Sequence, residues 1–275
     1  QEARALALFK RWADAKYGGK AKATMRALNQ VFGSKTSKSG SLNREQWVAA
    51  CERAGYPGDA AEVFKLLDWE LGGGVTVKEL QCLDRWEISS WLLAEPNEKA
   101  AKQIKDLLLK KYKQFVKAWF VGLDPVGAGR ITWSDFKRAA EKLNFRGDVN
   151  GAWVCLDDNF SGQLSLREFD EGAAKTLAQF RCWAHDGFGS VLRAMEALDK
   201  DGSGSLSIKE FVNGLSVHGF KGDASNLFRS MDFDNSGTLS GLELSVLDDW
   251  LLVEILDVDL VSDDSSYGSD AGSDG

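Results

Sequence analysis

Histidine is nearly absent from this chain: among 275 residues there are only His185 and His218. Neither a glycine-rich phosphate loop nor a nucleophile motif accompanies them, so imidazole-based triads and His-rich metal centres are excluded. The expectation is a protein that is not an enzyme. Proline is also scarce, with three residues, and the helical periodicity around them argues against a sheet-based fold. The four cysteines (Cys51, Cys82, Cys155 and Cys182) show no CxxC spacing. They suggest neither a zinc site nor a disulfide framework, but reduced core thiols of an intracellular protein. No apolar run is long enough to cross a bilayer, and no leader or retention signal is visible. A cytoplasmic location is expected, with cytoskeletal or ciliary association as a variant. The start at Gln1 keeps open a piece of something larger. Methionine is as rare as proline while tryptophan occurs ten times. That balance is the reverse of promiscuous, Met-lined binding surfaces: most of the tryptophans are expected in the core, and any exposed ones would mark one fixed interface.

Charge is distributed unevenly behind a net value of −7. Residues 1–123 hold 21 basic and 14 acidic side chains, whereas residues 124–275 hold 13 and 27. The overall acidity argues against nucleic acid as a partner. The acidic tail, 261–275, has no basic residue and no means of forming a core, and is expected to be disordered. Ser262, Ser265 and Ser266 beside Asp263 and Asp264 suit an acid-directed kinase, with a plain solubilising tail as the simpler reading.

Much of the remaining acidity recurs at a fixed interval. Two 12-residue segments, Asp199–Glu210 and Asp232–Glu243, begin 33 residues apart. Alternate positions offer oxygen: Asp199, Asp201, Ser203, the Ser205 carbonyl and Glu210 in one, and Asp232, Asp234, Ser236, the Thr238 carbonyl and Glu243 in the other. Ser207 and Ser240 stand where a water-mediated ligand is usual. A loop of this kind wraps a hard cation that takes six to eight oxygens, with glycine (Gly204, Gly237) at the sharp sixth position. The eighth residue, Leu206 or Leu239, faces inward, where paired loops share a short β-bridge.

On these residues the chain resembles the EF-hand superfamily of helix–loop–helix calcium proteins. The resemblance covers about residues 20–255 and implies Ca²⁺ as the ligand. Four upstream segments repeat the frame with graded losses. Asp157, Asn159, Ser161, the Gln163 carbonyl and Glu168 make a third good ligand set with one acid fewer, hence weaker binding. The Asp124 loop keeps Asp124, Gly129, Ile131 and Asp135, but Val126 and Ala128 offer no side-chain oxygen, so it is expected to be calcium-free. The Asp68 loop retains Asp68, Glu70 and Glu79 but has Gly72 at its fifth position, which leaves weak and absent binding both open. The first copy has Lys35 and Gln46 at its two ends and is expected to be structural.

Flanking residues support all six copies. Val31, Phe64, Phe120, Trp153, Met195 and Phe228 lie four residues before the loops, and Trp47, Leu80, Phe136, Phe169, Phe211 and Leu244 directly after them, as core faces of entering and exiting helices. Connectors ending in Asp59, Asp148 and Asp223 place each Asp as an N-cap nine residues before a loop. A Leu-Asp-x-Trp motif follows two loops, ending at Trp86 and Trp250. The expected fold is all-α: three EF-hand pairs with short β-bridges, at 1–95, 96–182 and 183–260, followed by the tail. Lone hands leave an apolar face exposed, so pairing is required.

Residues 97–119 carry seven lysines and a helical stripe of Ile104, Leu108, Tyr112, Phe115 and Trp119. The plain reading is a long entering helix with solvated lysines; the sharper one docks it on the acidic C-terminal lobe. By resemblance, the intact loops bind calcium in a range of roughly 10⁻⁷ to 10⁻⁵ M. The expected role is a calcium sensor or calcium-regulated scaffold whose partner is an amphipathic helix or a cytoskeletal or ciliary assembly. The alternatives are a cytosolic calcium buffer and the regulatory part of a larger protein such as a kinase.

Overall fold

The computed structural model describes residues 1–33 and 40–250, which are mostly helical. Strand among them is confined to three two-stranded antiparallel bridges. The bridges pair Leu42 with Val75, Ile131 with Leu164 and Leu206 with Leu239. These are the eighth residues of successive loops, and all six side chains are buried. Strands of two or three residues are not stable alone; here the apolar pair at the centre and the flanking helices hold them.

Each bridge strand runs directly into a helix, and the junction has the same chemistry six times. The ninth loop residue caps the new helix through its side chain, and the twelfth reaches back to the cap's backbone N–H. The pairs are Asn43–Gln46, Thr76–Glu79, Thr132–Asp135, Ser165–Glu168, Ser207–Glu210 and Ser240–Glu243. This is a capping box, which satisfies two otherwise orphaned donors at a helix start.

The connectors behave as expected. Asp59 accepts from Ala61 and Glu62, Asp148 from Gly151 and Asp223 from Asn226. The glycine directly before each Asp packs against an aromatic side chain. A Cβ at Gly58, Gly147 or Gly222 would meet the ring of Tyr56, Phe145 or Phe220 at 2.4–2.6 Å.

Contacts divide the chain into two compact units, Gln1–Asn97 with Trp153–Ser161, and Glu98–Ala152 with the residues from Gly162 on. The core of the first unit includes Phe9, Met25, Leu28, Trp47, Tyr56, Val63, Leu67, Val75 and Leu80. Its N-terminal helix, Glu2–Tyr17, precedes the repeats and supplies Phe9, which is fully buried against Trp12, Trp47 and Tyr56 at 5.3–5.6 Å. The Leu-Asp-x-Trp motif has a structural role here: Asp84 accepts the first N–H of the helix Ala21–Phe32 at 2.8 Å. In the second unit Asp248, from the other copy, accepts from Val191 and Leu192 at the start of Val191–Leu198. His185 Nε2 lies 3.1 Å from the same carboxylate, and Arg181 donates to the Leu247 and Asp248 carbonyls. Each motif thus fastens a chain segment leaving one loop to the helix entering its neighbour.

Several expectations need correction. The basic segment is not one helix. Glu98–Tyr112 stops at Lys113, whose φ of 69° is left-handed, and a second turn, Phe115–Lys117, leads into a π-helix, Ala118–Leu123. Lys99, Lys102, Lys110, Lys111 and Lys113 are exposed, as in the plain reading, but Lys117 is buried. Val31 is exposed rather than inward-facing, since it sits in the last turn of Ala21–Phe32. Of the cysteines only Cys51 is fully in the core, where burial pushes its thiol up to about 12, and Cys82 is exposed. No disulfide joins the four cysteines. Lys35 and the tail lie outside the described residues.

Replacing Phe9 by Ala should lower stability by about 3–5 kcal/mol, because it removes a fully buried ring from an aromatic cluster. Urea denaturation of the first unit's tryptophan signal checks this; a loss under about 1 kcal/mol would show that the N-terminal helix is dispensable.

Candidate metal centre

Every loop with Asp at its first position uses that carboxylate to shape its turn. Asp199 accepts from Ser203 and Gly204 N–H at 3.1 and 2.8 Å, and Asp232 from Ser236 and Gly237 at 2.9 and 3.1 Å. Asp68 and Asp124 do the same with Gly72 and Gly73, and with Ala128 and Gly129. Asp157, fully buried, accepts from the N–H and the hydroxyl of Ser161. The third residue adds to the turn: Asp201, Asp234 and Asn159 each accept from the fifth residue's N–H at 2.7–3.0 Å.

Glycine at the sixth position follows from backbone shape. Gly204 and Gly237 have φ of 78° and 82°, in the left-handed region that side chains with a Cβ disfavour.

What distinguishes the loops is where the remaining acids go. Among the described residues, three acidic side chains converge in two places, Asp199–Asp201–Glu210 and Asp232–Asp234–Glu243, each with one oxygen per residue within 4.8 Å of the others. Unpaired carboxylates packed this closely repel one another, and a cation between them relieves that. Local hydrogen bonds also favour the charged forms. Ser203 holds Asp201 below the ordinary carboxylate range, Ser207 does so for Glu210, and Ser236 for Asp234. The donors are all oxygen and mostly anionic, which suits a hard divalent cation such as calcium and not a soft one.

The eroded loops divert the same positions. Glu70 pairs with Lys78, whose ammonium also lies over the Trp69 ring, so the trio Asp68, Glu70 and Glu79 does not converge in this way. Asp135 gives one oxygen to Thr132 and the other to Arg138 at 2.5 Å. The Thr132 bonds hold Asp135 below its usual range, while burial pushes Asp124 up. In the Asp157 loop, Glu168 accepts from the N–H and the hydroxyl of Ser165. Gln163 lies in the bridge strand Gln163–Ser165.

Residues 192–216 match the family model described as EF hand. The match begins within Val191–Leu198, crosses the Asp199 loop and ends in Ile208–Val217. Together with the two carboxylate clusters, it supports an EF-hand protein. An EF hand implies binding of a divalent cation, usually calcium. No curated protein matches the chain. None of the described helices is long and apolar enough to cross a membrane.

The spacing marks Ser207 and Ser240 as water-mediated ligands, whereas the structure shows each of them capping a helix. Their capping role was there to be read in the Ser-x-x-Glu spacing. Replacing Ser207 by Ala should therefore cost about 1 kcal/mol of stability even with calcium chelated, through loss of the N-cap of Ile208–Val217. Denaturant unfolding in chelator checks this; an effect seen only with calcium present would mean that Ser207 acts solely as a ligand.

Proposed function

We propose that the chain is a non-enzymatic calcium sensor or calcium-regulated scaffold built from six EF-hands in three pairs, 1–95, 96–182 and 183–260. Calcium would be held by Asp199, Asp201, Ser203, the Ser205 carbonyl and Glu210, and by Asp232, Asp234, Ser236, the Thr238 carbonyl and Glu243. A weaker site would use Asp157, Asn159, Ser161, the Gln163 carbonyl and Glu168. The observation that carries this reading is the contrast between loops: carboxylates converge at Asp199 and Asp232, whereas Lys78 and Arg138 claim the matching acids upstream. On the same ground the Asp68 and Asp124 loops are read as calcium-silent.

Calcium entering the C-terminal pair would compete for Glu210 and Glu243, each of which has one oxygen in a capping box at a helix start. Movement of these glutamates shifts the exiting helices, and this is how sensor hands open an apolar groove. Such a groove takes an amphipathic helix of a partner protein. A cytoskeletal or ciliary partner and a cytoplasmic site are the settings that suit a sensor of this kind.

Calorimetric titration with calcium should find two or three sites, and Glu210→Gln and Glu243→Gln should each remove one tight site. Six sites, or tight sites surviving both substitutions, would overturn the assignment.

A further inference from the structure

One cation in the second unit is placed against a candidate calcium loop and belongs to a different hand. Lys117 is buried although it is a lysine, in the last turn before the π-helix that enters the Asp124 loop. Its ammonium donates to the Asp232 carbonyl and to Asn235 Oδ1, both at 2.7 Å. Asp232 is the first residue of its loop, and Asn235 is the fourth, with a left-handed φ of 59°. The contact is one of three spaced three residues apart on one face. Gln114 donates to Asn226 Oδ1 at 3.2 Å, and the Phe120 ring lies 5.5 Å from that of Phe233.

A second contact runs the opposite way. Trp250, from the Leu-Asp-Asp-Trp motif beyond the Asp232 loop, is buried against Gly129 of the Asp124 loop, where a Cβ would come within 3.4 Å of its ring. Each of the two loops is therefore touched by a residue of the other's hand. The Trp119 indole, buried beside Lys117, finds no acceptor for its N–H among the described residues. The π-helical turn Ala118–Leu123 departs from the regular helical hydrogen-bond pattern, a feature frequent at functional sites.

We infer that Lys117 couples calcium occupancy of the Asp232 loop to the Asp124 hand, so that the calcium-silent hand reports the state of the calcium-binding one. This rests on the calcium reading of the Asp232 loop. A divalent ion among Asp232, Asp234 and Glu243 places positive charge beside a buried ammonium bonded to the same residue. Lys117 is itself buried, so its side of the pair is screened less than a surface charge would be, although Asp234 and Asn235 are exposed. Binding and the Lys117 contact therefore oppose each other, and linkage makes the opposition reciprocal: calcium loosens the strut, and the strut weakens calcium binding. Released, residues 114–123 are free to shift and carry the Asp124 loop with them.

The test uses the full chain and calcium as the probe. Calorimetry of wild type and Glu243→Gln first identifies the site of the Asp232 loop. In Lys117→Met, which keeps an apolar stem of similar length, that site should tighten by about fivefold or more, the low end of coupling between sites. Hydrogen exchange across 114–123, calcium-sensitive in wild type, should become insensitive. Should Lys117→Met fail to fold, Asn235→Gly, which suits the positive φ and removes one acceptor, should shift the affinity the same way. Unchanged or weaker affinity with calcium-sensitive exchange retained would overturn the coupling and leave the calcium reading intact. If Glu243→Gln removes no site, the calcium reading fails first and the coupling with it.

Discussion

A carboxylate at the first loop position accepts the N–H groups of the fifth and sixth residues in four loops, and the rest of the repeat is built around that bond. It fixes the sharp turn, which sets the bridge strand at the eighth residue and the helix start at the ninth. Loops that have lost their outer ligands, such as the one at Asp124, therefore keep the same shape as those that have not. One residue type serves both the fold and the proposed ion, and in the five loops that keep Asp at the first position the losses fall at the third, fifth and twelfth positions, whereas the first copy has Lys35 in its place.

The twelfth residue has a similar double use. As partner in a capping box it stabilises the exiting helix, and as an acid it is the ligand expected to pull that helix when calcium arrives. Gln46 and Asp135 keep the first use: the amide carries no charge to pull on, and the carboxylate is already engaged by Arg138. Holding shape and the proposed response to calcium are thus separable, and on the proposed reading different loops carry them. The coupling proposed at Lys117 gives a silent hand a part in the response, because a hand that keeps its shape without the ion can register a neighbour that moves.

Local features were legible in the sequence. The loop frame, the inward eighth residues and the Asp caps of the connectors each depend on a few adjacent side chains, and each is found where the spacing placed it. Features set by distant contacts were not. The helix Glu2–Tyr17 has no repeat to flag it, and only tertiary packing shows that Phe9 completes the aromatic cluster. The break at Lys113 goes against a good helical stripe: Ile104 and Leu108 before it and Val116 and Trp119 beyond it are all buried, yet the helix does not run through. The Asp68 loop leaves weak and absent binding both open in the sequence, and the pairing of Glu70 with Lys78, eight residues on, is visible only in the structure. The Leu-Asp-x-Trp motif was visible as a repeat, but its use as a clasp on another helix depended on residues more than fifty positions away.

The central claim is that ligand geometry separates loops which otherwise share one fold. Anomalous diffraction from crystals grown with a lanthanide in place of calcium would test it most directly, since it locates each ion without relying on affinity. The account predicts strong peaks between Asp199 and Glu210 and between Asp232 and Glu243, a weaker one in the Asp157 loop, and none at Asp68 or Asp124. A peak of comparable height in the Asp124 loop, or none at Asp199, would contradict it.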